Sequence, residues 1–146
     1  MRLCLIGCSK TKTRNASGTP GELYAGDLFR KRVDYARRNQ LPWFVLSAKY
    51  GLLLPDQSLP NYDTAPADFT KEQRSTWAGN VAFKLAQFGD YTTVEIHAGN
   101  LYADPLSSLL RAAGLVVERP CQGLGIGQQL KCYKDLERAA ERTCAS

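Results

Sequence analysis

Short apolar runs alternate with stretches of helical periodicity along this chain, and that alternation restricts the fold more than any other feature of the sequence. Leu3 to Gly7 is a near-continuous apolar run ending in Cys8-Ser9-Lys10, the pattern of a strand covered on both faces. Trp43-Phe44-Val45-Leu46 has the length and residue types of a second buried strand. Thr93-Val94-Glu95-Ile96-His97 alternates, which puts Val94 and Ile96 on one face of a third strand and Glu95 and His97 on the other. Leu115-Val116-Val117 makes a fourth.

The intervening segments read as helices. Ala25, Leu28, Phe29, Val33 and Ala36 mark one face of a helix from Glu22 to about Arg38. Thr70 and Gln73 match a capping box, followed by Trp77, Ala78, Val81, Leu85 and Phe88 on one face up to Gly89. Asp104-Pro105 has the form of a third helix start, with Leu106, Leu109, Leu110 and Ala113 inward before Gly114. A last helix runs from about Gln128 to Arg142, with Leu130, Tyr133, Leu136 and Ala140 inward.

Strands alternating with helices imply right-handed crossovers and a three-layer α/β domain, Rossmann-like in outline, with a mainly parallel sheet of about four strands. The 146 residues suit one such domain, spanning 1–146. Two stretches lack periodicity: TKTRNASGTPG after the first strand, and SAKYGLLLPDQSLPNYDTAPAD after the second, whose prolines predict a largely irregular path. Parallel strands send the loops that follow them to one edge. Ser9 to Arg14, Ser47 to Asp63, His97 to Tyr102 and Gly123 to Gln129 are therefore expected to converge.

Composition limits what such an edge could bind. The net charge of +5 favours an anionic partner, although Arg30, Lys31, Arg32, Arg37 and Arg38 on one helix read as a solvated face. No apolar run approaches the roughly 20 residues needed to cross a bilayer, and the apolar N-terminal stretch is too short for a signal peptide, so a cytoplasmic protein without a membrane partner is expected. Five cysteines with no CxxC pair and a single histidine support neither a disulfide framework nor a tetrahedral zinc site. Cys4 reads as a small buried hydrophobe, and Cys8 at the strand end is the alternative thiol nucleophile. No metal or cofactor is expected.

The converging loops carry the reactive side chains. Gly123-Leu-Gly125-Ile-Gly127-Gln128 lies between a strand and a helix, where backbone N–H groups can approach a phosphate or nucleobase; a plain tight turn would use the same glycines. Its spacing is neither a dinucleotide fingerprint nor a P-loop. Ser9, Ser47, Lys10, Lys12 and Lys49 are candidate ligands for an anion, Lys49 above all because it interrupts an apolar and aromatic stretch, with a solvent-facing lysine as the alternative for Lys10 and Lys12. Asp56, Asp63 and Glu22 are the carboxylates at hand. An aspartate can stabilise an oxocarbenium-like sugar or activate water for attack on it, and Asp56 and Asp63 are the catalytic candidates; both are also good turn residues. Tyr24, Tyr50, Tyr62 and Tyr102 offer rings for base stacking, with core packing as the alternative. His97 ends a strand at this edge, placed either to assist a leaving base or to hold a loop as a satisfied histidine.

CSKTK near the start, ELYAGDLF, LSAKYGLLLPD with NYDT, HAGNLY with PL, and GLGIGQQ together resemble the small single-domain proteins related to the uracil-DNA-glycosylase-like domain of archaeosine synthase. The resemblance covers nearly the whole chain, and the SAKYGLL-x-PD block is its most specific part. It implies a glycosylase-like α/β fold and a nucleotide or nucleic-acid-base setting. The GQDPYH-type water-activating block of familiar uracil-DNA glycosylases is absent, so no catalytic aspartate carries over by motif. The expected function is hydrolysis of an N-glycosidic bond in a nucleotide or nucleic acid; the alternative is a nucleotide- or nucleic-acid-binding module without turnover.

Overall fold

The computed structural model describes residues 2–7, 17–18, 27–47, 51–55, 59–60, 70–121 and 126–145. In chain order these form β1 (Arg2–Gly7), β2 (Ser17–Gly18), α1 (Asp27–Arg38), β3 (Trp43–Ser47), β4 (Gly51–Leu53), β5 (Leu59–Pro60), α2 (Lys71–Ala86), β6 (Thr93–His97), α3 (Asn100–Ala112), β7 (Val116–Glu118) and α4 (Ile126–Ala145). Five strands make one sheet in the order β4-β3-β1-β6-β7. All neighbours in it are parallel except β3 and β4. The expected mixed α/β architecture with a mainly parallel sheet is therefore present, with one strand more than the sequence suggested.

β1 is the central strand because its side chains are apolar on both faces. Leu3 and Leu5 enter a core with Phe44, Leu46, Val94 and Ile96, covered by Trp77, Ala78, Val81 and Leu85 of α2 and by Tyr102, Ala103, Leu106 and Leu110 of α3. Cys4 and Ile6 point the other way, into a smaller core with Val45, Leu53 and Phe29, Val33 and Ala36 of α1. Full burial of a Leu or Ile side chain contributes about 1.5–3 kcal/mol. The strand-forming residues thus supply much of what holds the layers together. α4 packs beside α1, so each face of the sheet carries two of the described helices.

Several expectations need correction. Gly51–Leu53 is not irregular but an antiparallel edge strand, with Val45 opposite Leu53 and Ser47 opposite Gly51. Leu52 and Leu53 alternate between the two cores, which a run of three leucines concealed. Gly51 has φ +73°, a left-handed conformation open to glycine, as the chain doubles back after Ser47. Ser17–Gly18 and Leu59–Pro60, both read as loop, pair as a short antiparallel ribbon. α3 starts at Asn100 rather than at Asp104-Pro105, with Gly99 as its N-cap. Pro105, five residues on, gives up only its own N–H bond back toward Leu101.

Burial also departs from the helical wheels. Arg32 belongs to no solvated face, being 6% exposed, whereas Leu109, Leu136 and Phe88, expected inward, are at least a third exposed. The capping box at Thr70 is present as read: its Oγ1 accepts from the Gln73 N–H, and the Gln73 Oε1 accepts from the Thr70 N–H. Residues 22–26 of the first helix as expected, including Ala25, lie outside the described residues. Among the described residues no helix is long and apolar enough to cross a membrane.

The sheet order reverses at its centre. From β1 the chain moves to β3 on one side, and later from β6 to β7 on the other, so the switch point lies between β1 and β6. The two strand ends approach closely there: a Cβ built on Gly7 would stand 2.7 Å from the Cβ of Ala98. Gly7→Ala is expected to cost about 1–3 kcal/mol by overpacking, read as a lower midpoint in urea denaturation at unchanged slope; an unchanged midpoint would show that the strand ends give way freely.

Candidate functional site

Four of the residues singled out in the sequence fall at or near the carboxyl edge of the sheet: Ser47 ends β3, His97 ends β6, and Gly127 and Gln128 stand in the first turn of α4. Ser9, Lys10, Lys12, Glu22, Tyr24, Lys49, Tyr50, Asp56, Tyr62, Asp63, Gly123 and Gly125 lie outside the described residues. The ribbon between β2 and β5 nevertheless joins the segment that follows β1 to the one that follows β4. Ser47 is buried, and its carbonyl accepts from the Trp77 indole N–H at 2.8 Å, which fixes α2 against the end of β3. Gln128 is exposed. Tyr102 answers to the alternative of core packing: it is 5% exposed, with its ring 4.9 Å from that of Trp77.

At the same edge Arg119, just beyond β7, donates to Asn100 Oδ1 and to Asp104 Oδ1, each at 2.8 Å. Asn100 and Asp104 are one helical turn apart on α3, so a single guanidinium clamps the start of that helix to the exit of β7. Lys71 and Arg74 of α2 face Asp104, Pro105 and Ser108 across an open cavity of about 410 Å³.

Beneath the edge, on the face covered by α1 and α4, lies a buried polar network that the sequence did not disclose. Glu95 in the middle of β6 is 2% exposed, and its carboxylate accepts from Arg2 at 2.8 Å, from the Tyr35 hydroxyl at 2.8 Å and from His97 Nε2 at 3.1 Å. His97, 1% exposed, has its other nitrogen 2.7 Å from the Tyr133 hydroxyl of α4. A carboxylate can only accept, so Nε2 carries the proton and Nδ1 accepts from Tyr133. Arg32 in turn hydrogen-bonds the Tyr133 side chain and donates to Gln129 Oε1 at 3.0 Å. Arg2 also bridges to Glu118, which pairs with Glu95 in the β6–β7 register; one guanidinium thereby offsets two adjacent carboxylates.

The electrostatics follow from that arrangement. Burial pushes the Glu95 carboxyl up, but hydrogen bonds from His97, Arg2 and Tyr35 outweigh it and hold it down at about 2. Burial pushes His97 down and outweighs the attraction of Glu95, which keeps the imidazole neutral. Burial raises the Tyr133 hydroxyl to about 12 and the Cys4 thiol to about 12, so both are protonated at neutral pH. With both ring nitrogens engaged, His97 answers to the satisfied histidine of the sequence reading rather than to an acid poised for a leaving base.

The cysteine reading requires correction. Cys121 and Cys132 form a disulfide, with Cα atoms 6.0 Å apart, joining the stretch after β7 to the second turn of α4. They stand 11 positions apart, a spacing without the CxxC signature that the sequence reading looked for. Such a bond is at odds with the cytoplasmic setting expected from the sequence, where thiols are kept reduced.

A model described as a family of unknown function, DUF6884, matches residues 3–135. The chain belongs to that family. The DUF6884 match runs from β1 into α4 and so takes in Cys4, Tyr35, Glu95, His97 and Tyr133, though not Arg2. No curated protein matches the chain.

Apart from His97, sequence reasoning missed the network: Arg2, Arg32, Tyr35 and Tyr133 were not considered for it, and Glu95 was noted only for its face. The available signal was a glutamate and a histidine two apart on a strand whose two faces both needed cover, since a buried charge demands partners.

Both Glu95 and His97 have folded values below their unfolded ones, 4.5 and 6.5 respectively, so the unfolded chain binds more protons. Their contribution is fully present above 6.5, declines as unfolded His97 protonates below that value, and declines further between 4.5 and about 2. Thermal unfolding is expected to shift to lower temperature on acidification, with the first part of the shift reduced in His97→Gln and the later part in Glu95→Gln. Identical pH profiles for all three proteins would refute the assignment.

Proposed function

We propose that this chain hydrolyses the N-glycosidic bond of a nucleotide or a nucleic-acid nucleoside, on a glycosylase-like α/β fold related to the uracil-DNA-glycosylase-like domain of archaeosine synthase. The observation that carries the reading is the reversal of strand order between β1 and β6, because open α/β sheets bind ligands outside the carboxyl ends of their strands at such a point. The β2–β5 ribbon supports it by joining the segment after β1, whose sequence includes Ser9 and Lys10, to the one after β4, whose sequence includes Asp56 and Asp63.

In this reading Lys49, Lys10 and the Gly123-to-Gln128 segment at the start of α4 hold the anionic or base portion of the substrate. Asp56 or Asp63 takes a proton from water as its oxygen bonds to the sugar carbon; the electrons of the breaking C–N bond leave with the base, which takes up a proton. His97, locked between Glu95 and Tyr133, holds the end of β6 and the Ala98-Gly99 connection to α3. A base within duplex DNA would first have to be flipped out.

A module that only binds nucleic acid fits less well. The basic helix offers few unengaged charges: Lys31 and Arg38 both pair with Glu137 of α4, the Arg37 guanidinium lies 5.7 Å from the Trp43 ring centroid, and Arg32 is buried.

The test is incubation with a panel of nucleotides and of modified DNA and RNA, read by mass spectrometry for released base. Release from at least one substrate is expected, with Asp56→Asn or Asp63→Asn lowering the rate by about 10²-fold or more and Arg30→Glu leaving it unchanged. No product from any substrate, with folding confirmed by circular dichroism, would overturn the proposal.

A further inference from the structure

Three metal-ligating side chains meet inside the network. Cys4 Sγ, a Glu95 carboxylate oxygen and a His97 ring nitrogen lie within 4.8 Å of one another, and all three residues are buried. They come from two adjacent strands in which Cys4 pairs with Glu95 and Ile6 with His97, so the backbone ladder fixes their relative positions. The hydrogen bonds described above join Glu95 to His97 without using the Cys4 thiol.

We propose that Cys4, Glu95 and His97 bind one zinc ion between β1 and β6, a site separate from the sheet-edge pocket and independent of the glycosidase reading. Thiolate, imidazole and carboxylate together are a zinc donor set. The spacing of the imidazole and the carboxylate fits as well. Nitrogen and oxygen ligands at about 2.0–2.2 Å in tetrahedral array stand roughly 3.3 Å apart, and His97 Nε2 is 3.1 Å from Glu95 Oε1. The ion would take the place of the proton between those two atoms.

Outer partners suited to a metal are already present. Tyr133 holds the second nitrogen of His97, and Arg2 holds the other oxygen of Glu95, which orients both ligands. The Tyr35 hydroxyl, 2.8 Å from Glu95 Oε1, or a water completes four-coordination. Charge and protons balance: the thiolate and carboxylate neutralise the dication, the Nε2 proton moves to Nδ1 with Tyr133 as its acceptor, and the Cys4 proton goes to solvent. One proton is released for each zinc bound.

The experiment is titration of the chelator-stripped protein with zinc and with cobalt(II), using the full chain. One equivalent is expected to bind, with release of one proton, a raised melting temperature and, for cobalt, thiolate-to-metal charge-transfer absorption. Cys4→Ala is expected to abolish that absorption and weaken binding by more than about 100-fold, and Tyr133→Phe, which alters only the second sphere, by about 10-fold. Should Cys4→Ala not fold, Cys4→Ser preserves the volume and loses the same absorption. The inference is overturned if no stoichiometric metal binds, or if the charge-transfer absorption survives in the Cys4 variant.

Discussion

A carboxylate buried in the middle of a parallel sheet is the constraint around which much of this molecule is arranged. Glu95 stands on a strand covered on both sides, where an unpaired charge would cost several kcal/mol. Its neighbours answer that cost from four directions: Arg2 from β1, Tyr35 from α1, His97 from its own strand and, through His97, Tyr133 from α4. The network thus stands beside a smaller apolar core on that face, whereas the other face is held by leucines and a tryptophan. Removing a single partner would strand a buried charge, so the five residues act as a unit, and their individual contributions are not additive.

How much of this was legible in the sequence depended on whether the determining contact was local. β1 and β3 could be read from apolar runs, the α2 cap from Thr70 and Gln73, and the two faces of β6 from its alternation, because those signals lie within a few residues. Gly51–Leu53 was misread because the prolines that follow it marked the whole stretch as irregular; its pairing with β3 defines it. The start of α3 was misplaced because Asp104-Pro105 mimics a cap, while the true cap, Gly99, has no side chain to announce itself. Arg32 and the Cys121–Cys132 bond are decided by residues distant in sequence and had no local signature.

The candidate sites differ in the same way. The sheet-edge site was deduced from parallel strands sending the loops that follow them to one edge, and the sheet is parallel apart from β4. The cluster below it could not have been deduced, since Cys4 and His97 are brought together only by the β1–β6 register. The two regions meet at the end of β6: the residue that closes the buried network is followed directly by Ala98 and Gly99, the link to α3. Anything that reorders the network acts on the link between β6 and α3.

The disulfide has a consequence for how the chain comes apart. Cys121 and Cys132 close a ring that contains the whole glycine-rich run and the first turn of α4. A protease that cuts once within that ring yields two polypeptides still joined by sulfur, which migrate as one species until a reductant parts them. The segment richest in glycine is thus a place where a broken backbone would leave the molecule covalently whole.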